Sequence, residues 1–323
     1  MEGGWGRGAR RLLGRRLRER RLRPRARVSA SIAVLGPGGV GGALAVRLAL
    51  AGHRVVCVAR GEAAKAIRHE GLTLELAGQE LHAWPGVVEH LAEPVGLLLV
   101  TVKATGLAEA LCRIDAGAVA AGVVVPLLNG IEHVAVIRTA LGSRVAAASI
   151  ARIEAYRVSA ARVVQPGLTP LVAAASVDLD AAGLEQALEP LGDAGVELRL
   201  GGSEAEVIWE KAARLAVLAP VTALTQRPVG ELRADRDWRP AMEVAIAEAC
   251  EIATAAGAPM RPKAQWAIID AMPHTLSTSA ARDVAAGKPS EIDAITGGVV
   301  RTGARLDVPC PALAELLERC RAL

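Results

Sequence analysis

The spacing of apolar residues changes period partway along the chain. Ile32-Ala33-Val34-Leu35 is uniformly apolar and of strand length; glycines interrupt it, and apolar residues then resume at helical intervals, Ala43, Leu44, Val46 and Leu48. This reads as strand, turn and helix. A second apolar run, Arg54-Val55-Val56-Cys57-Val58, follows Gly52-His53, and residues 96–102 and 123–128 are apolar on both faces, as buried parallel strands are. Residues 72–95 alternate loosely and predict short peripheral strands, while 106–113 and 132–141 predict returning helices. Strands near 145–150, 161–165, 171–175 and 196–200 complete an α/β unit. Beyond Ser203 the period is helical almost throughout, with helices expected at 205–218, 241–256, 262–271, 279–286, 291–306 and 312–321. Ser203-Glu204-Ala205-Glu206 has the form of a capped start. The pattern predicts an α/β Rossmann-type parallel-sheet domain over residues 29–202, joined near Gly201-Gly202 to an all-α domain over residues 203–323.

Composition is compatible with two such cores: the chain has 323 residues, 52% of them hydrophobic. No apolar stretch reaches the roughly 18 residues a membrane span needs, and the longest candidate, 212–224, contains Arg214 and Pro220. The net charge of +4 is unevenly placed. Residues 1–27 hold 11 Arg against 2 Glu, so the rest of the chain has 27 basic against 32 acidic residues, a net −5. That balance argues against a nucleic-acid-binding body. Transit peptides are rich in Ser as well as Arg, and this arm has no Ser before Ser29, so residues 1–28 are expected to be a disordered or spurious extension. The five Cys lack metal-site spacing and read as reduced cytoplasmic thiols, with no metal implied.

Several residues stand out chemically. Gly36, Gly38 and Gly41 have the G-x-G-x-x-G spacing between a strand and a helix, where backbone N–H groups of the helix start face a pyrophosphate. Arg60 follows the second strand, where NAD sites usually place an acid and where an Arg accommodates the 2′-phosphate of NADP; Glu62 nearby keeps NAD open. Lys103 ends the third central strand, at the sheet edge where ligands bind. Asn129-Gly130 ends the fourth. Asn-Gly is commonly a turn, yet this is the single Asn of the chain, at the mouth of the expected cofactor cleft. Lys211 begins an otherwise apolar helix in a chain with 33 Arg and 5 Lys, and could be desolvated as a proton donor or simply solvated in a first turn. Ser279 and Asp283 share a helix face, and Glu291 and Asp293 open a helix whose positive end they would favour.

This ordered set resembles the ketopantoate reductase family, the NADP-dependent 2-dehydropantoate 2-reductases. The resemblance covers residues 31–320 and rests on Gly36-Pro37-Gly38-Gly39-Val40-Gly41, Arg60, Val102-Lys103-Ala104, Asn129-Gly130, Trp209-Glu210-Lys211, Leu224 through Gly230-Glu231-Leu232, Ser279 with Asp283, and Glu291-Ile292-Asp293. It implies a helical domain of the 6-phosphogluconate dehydrogenase C-terminal-like kind. It implies NADPH-dependent reduction of a 2-oxo acid to the 2-hydroxy acid, 2-dehydropantoate to pantoate in pantothenate and coenzyme A biosynthesis. Lys211 would donate the proton, Glu291 would hold the substrate hydroxyl or the cofactor ribose, and Ser279 the substrate carboxylate. Asn129 would touch cofactor and substrate, and the Gly36–Gly41 turn, Arg60 and Lys103 would contact the cofactor. A cytoplasmic enzyme with a small-molecule partner follows, with no membrane or nucleic-acid partner, and apolar helix faces allow a homodimer.

The departures from the family pattern cluster at the substrate. Family members usually carry Asn four and eight residues after the lysine and just before the Gly-Glu-Leu motif, where this chain has Leu215, Ala219 and Val229. Either the pocket takes a more apolar 2-oxo acid or ketone, or Thr222, Thr225 or Gln226 supply the contacts, or the protein binds NADPH without catalysis.

Overall fold

The computed structural model describes residues 31–323 apart from Ala151 and Leu168. The expectation for residues 1–28 lies outside the described residues.

The chain enters through β1 (Ile32–Leu35), turns through the glycines into α1 (Gly39–Leu50), and continues through β2 (Val55–Val58) and α2 (Gly61–Glu70). A hairpin of β3 (Leu72–Leu76) and β4 (Gln79–Ala83) precedes β5 (Gly86–Val88) and β6 (Leu97–Val100). Short helices α3 (Leu107–Leu111) and α4 (Ala116–Val119) lead to β7 (Val123–Pro126), α5 (His133–Leu141) and β8 (Arg144–Val145). The main sheet has six strands in the order β5-β2-β1-β6-β7-β8. Every neighbouring pair in it is parallel. This is the Rossmann order, with its reversal between β1 and β6, and ligands of such sheets bind beyond the carboxyl ends at that reversal. β1, β6 and β7 are buried along their whole length because helices cover both faces, which is why they read as unbroken apolar runs.

Two smaller sheets complete this part. β9 (Ala147–Ile150), β10 (Tyr156–Ser159), β11 (Arg162–Gln165), β12 (Leu171–Ala175), α6 (Ala181–Asp193) and β13 (Glu197–Leu200) follow in sequence. They give a four-stranded sheet β10-β11-β3-β4, which packs on α1, and a three-stranded sheet β13-β12-β9. The expected peripheral strands at 72–95 therefore divide: β3 and β4 leave the main sheet, and β5 forms its edge. Five elements were not anticipated by periodicity, each for a visible reason. α2 buries only Ala64 and Ile67, α6 contains Gly183 and Pro190, β10 is exposed at all its positions, and α4 and the later helix at Val229–Leu232 have four residues each, too few to show a period.

The helical part is built on α7 (Glu204–Thr225), followed by α8 (Val229–Leu232), α9 (Trp238–Ala255), α10 (Pro262–Asp270) and α11 (Ser279–Ala285). A π-helical stretch at Asp293–Gly297 runs into α12 (Gly298–Arg305), and α13 (Pro311–Arg321) ends the chain. The expected cap is present: Glu206 N donates to Ser203 Oγ at 3.1 Å and Ser203 N donates to Glu206 Oε2 at 2.7 Å. α7 runs past the expected end near Leu218, through Pro220. Proline in a helix interior strips the carbonyl four residues back of its donor, and here that carbonyl, Ala216 O, accepts instead from the buried Thr296 hydroxyl at 2.9 Å. The neighbouring π-helical stretch thus supplies what the proline removes.

Candidate active site

The first component of the site is the glycine turn. Thr101 Oγ1 donates to Leu35 O at 3.0 Å and to Gly36 O at 2.8 Å, tying the ends of β1 and β6 together. A Cβ on Gly41 would collide with that hydroxyl, so glycine there sets how closely α1 approaches the sheet. α1 has no side-chain cap and no acid in its first turn, and a Cβ on Gly38 would enter space free of protein. An uncapped helix start with free N–H groups can receive an anion. Arg60 occupies the N-terminal flanking position of α2, just past the end of β2, and its exposed guanidinium forks onto the Glu109 carboxylate, with Nη2 to Oε2 at 3.2 Å. A phosphate presents the same bidentate acceptor geometry. Turn and guanidinium therefore fit a phosphorylated dinucleotide. Lys103, at the next strand end, donates to Asp283 Oδ2 of α11 at 2.8 Å.

The second component joins the sheet to the helical part. Lys211 Nζ donates to Asn129 Oδ1 at 3.0 Å, Asn129 Nδ2 donates to Glu291 Oε2 at 3.2 Å, and Ala104 N donates to Glu291 Oε1 at 2.8 Å. The amide orientation is chemically consistent, with its oxygen toward the cation and its nitrogen toward the carboxylate. Lys211, Asn129 and Glu291, far apart in sequence, thus form one chain of hydrogen bonds. Glu291 is 7% exposed. Gly130 lets the helical part come this close: its φ is 94°, and a Cβ there would lie 2.6 Å from Ala294 O.

Burial lowers the Lys211 pKa to about 8; the nearby Arg214 charge acts in the same direction and the Glu291 carboxylate opposes it. Lys211 is the eighth residue of α7 and half-buried, so it is not a solvated first-turn lysine. It borders a shallow cleft that opens to solvent. One wall is a stripe on α7, Ile208, Lys211, Ala212 and Leu215, at the spacing of a single helix face. Facing it are Leu128-Asn129-Gly130 from the end of β7 and Ala148-Ser149 from β9.

Ser279, exposed on the first turn of α11, is not among the residues lining this cleft. Of the three positions where the family carries Asn, Leu215 lines the cleft, whereas Ala219 and Val229 are fully buried in apolar clusters. The candidate replacements are also engaged elsewhere. Thr222 Oγ1 donates to Leu218 O at 2.6 Å, Thr225 Oγ1 to Val221 O at 2.7 Å, and Gln226 Nε2 to Ala223 O at 2.7 Å. Sequence reading passed over Ser149 and Glu109. Ser149 had one available signal, a hydroxyl within the apolar run 145–150; Glu109 had none, since its place opposite Arg60 depends on the return of α3. Among the described residues no group of His, Cys, Asp and Glu could hold a metal ion, and no helix is long and apolar enough to cross a membrane.

Comparison with known proteins agrees with this arrangement. Residues 32–176 match the family model described as ketopantoate reductase PanE/ApbA, and residues 205–323 match that of the ketopantoate reductase PanE/ApbA C terminal. The chain is 30% identical to the 2-dehydropantoate 2-reductase of Caulobacter vibrioides, over 89% of this chain and 97% of that one. It is 26% identical to the 2-dehydropantoate 2-reductase of Archaeoglobus fulgidus, over 90% and 97% respectively. The crystal structure of a PanE/ApbA family ketopantoate reductase from Ralstonia eutropha is similar with a TM-score of 0.81 at 27% identity, covering 90% of this chain and 97% of that one. With the Rossmann strand order, the dinucleotide turn and the helical second part already in place, these matches make the chain a member of the ketopantoate reductase family of NADP-dependent oxidoreductases.

Proposed function

We propose that the protein reduces a 2-oxo acid to the corresponding 2-hydroxy acid with NADPH, Lys211 serving as the proton donor. The observation that carries this reading is the Lys211 ammonium, bordering the cleft and 3.0 Å from Asn129 Oδ1. NADPH supplies the hydride that adds to the carbonyl carbon. As that bond forms, negative charge develops on the carbonyl oxygen; Lys211 stabilises it and then gives up a proton to it, leaving a neutral amine that solvent reprotonates. A lysine with its pKa at about 8 is a readier donor than an ordinary one and is still mostly charged at neutral pH. Asn129 aims the ammonium, and Glu291 holds the Asn129 amide in the orientation that accepts from it. In this reading the glycine turn and Arg60 hold the phosphates, Lys103 borders the same edge, and Ser279 meets the substrate carboxylate.

Turnover settles the proposal. Purified protein mixed with NADPH and a panel of 2-oxo acids, including 2-dehydropantoate, is expected to consume the reduced nicotinamide and form a 2-hydroxy acid from at least one of them. Binding of NADPH with no member of the panel reduced would leave a nucleotide-binding protein and no reductase.

A further inference from the structure

The lining of the cleft narrows the substrate further, on the premise that the protein is a 2-oxo acid reductase as proposed above. Every 2-oxo acid brings a carboxylate and a carbonyl oxygen to the site; members of the class differ in the group beyond the carbonyl carbon. Asn129, Lys211 and Ser149 are the polar side chains of the lining, enough for the two groups that all members share. The large side chains of the lining left for the group beyond the carbonyl carbon are Ile208 and Leu215, one turn either side of Lys211 on α7, and Leu128 opposite. All three are apolar. Deeper along α7 the hydroxyls are committed: Thr222 Oγ1 is fully buried and bonds Leu218 O, Ala219 O and Thr278 Oγ1 at 2.6, 3.3 and 2.7 Å. Gln226 Nε2 points into the backbone carbonyls of Ala223 and Ala281, at 2.7 and 3.4 Å. A substrate hydroxyl pressed against this wall would find no side-chain partner on it, whereas a methyl group would fit it.

We infer that the cleft prefers 2-oxo acids whose side chain is apolar and carries no hydroxyl, and that Leu215 sets this preference. Leu215 is the determinant because it is the half-buried member of the stripe one turn from Lys211, where an amide would reach a substrate hydroxyl.

A matched pair of substrates tests this: 3,3-dimethyl-2-oxobutanoate and its 4-hydroxy derivative, 2-dehydropantoate, which differ by one oxygen. With NADPH saturating, kcat/KM for the unhydroxylated acid is expected to exceed that for the hydroxylated one by about tenfold or more, the range in which an apolar pocket rejects an added hydroxyl. In Leu215→Asn the ratio is expected to move toward the hydroxylated acid by about tenfold, mostly through KM. A native enzyme favouring 2-dehydropantoate would overturn the inference while leaving the reductase reading intact. A ratio unchanged in Leu215→Asn, with NADPH affinity preserved, would overturn the role given to Leu215. Reduction of neither acid, nor of any other 2-oxo acid, would overturn both.

Discussion

At the scale of single residues, the site depends on an ammonium group whose protonation is set by where it is buried. The pKa of Lys211 lies at about 8, with desolvation as the leading cause. A donor must carry its proton, so kcat/KM for carbonyl reduction should be flat below that value and fall about tenfold per pH unit above it, while the reverse oxidation should rise. A pH–rate profile with no break between neutrality and the ordinary lysine range would contradict this. Asn129→Ala removes the acceptor that aims the amine and should lower kcat by about 10²-fold, with a smaller change in KM. Asn129 was legible because the chain has a single Asn, placed where a central strand ends, and Lys211 because so few lysines survive among many arginines. Their bond to one another was not legible, since it joins residues 82 apart whose side chains meet only when the two parts dock.

At the scale of elements, the strands of the main sheet declare themselves by burial on both faces, and Lys103 and Asn129 follow the ends of two of them. The helices are less transparent. α7 continues through a proline that would ordinarily end it, because Thr296 reaches across from the π-helical stretch to the Ala216 carbonyl. That contact predicts a measurable cost. Thr296→Val is nearly isosteric, leaves a buried carbonyl without a donor, and should lower unfolding free energy by about 1–3 kcal/mol in a denaturant titration, while Thr296→Ser should recover most of it. The expected regular helix at 291–306 instead starts π-helically; π-bulges are frequent at functional sites, and this one begins two residues after Glu291. Periodicity alone could not show it, because one extra residue per turn shifts the apolar face without removing it.

At the scale of the molecule, the cleft exists because two separately cored parts meet over the carboxyl ends of β6 and β7. The junction is made of unlike contacts, and they should not weigh equally. Lys103 to Asp283 and Arg301 to Glu132 are partly exposed ion pairs, so Asp283→Asn should shift stability by under about 1 kcal/mol. Gly130 is different. Its positive φ and the nearness of Ala294 O leave no room for a side chain. Gly130→Ala should cost about 1–3 kcal/mol and reduce turnover together with it, because the same loop presents Asn129. Equal effects of the two substitutions on the unfolding midpoint would show that this ranking is wrong. Two-part architecture and the nucleotide-binding edge could be read from periodicity and motif; how the parts face each other could not, because the deciding contacts are a backbone carbonyl against a glycine and a carboxylate against a backbone N–H.

The central claim is that the Lys211 amine completes the reduction. Its most direct test compares the native protein with Lys211→Met, which keeps the aliphatic stem and loses the charge, in NADPH oxidation by a 2-oxo acid that the native protein turns over, with NADPH affinity measured separately by nucleotide fluorescence. The prediction is a fall in kcat of about 10²–10⁴-fold at nearly unchanged NADPH affinity; a kcat within about threefold of the native value would place the proton donor elsewhere.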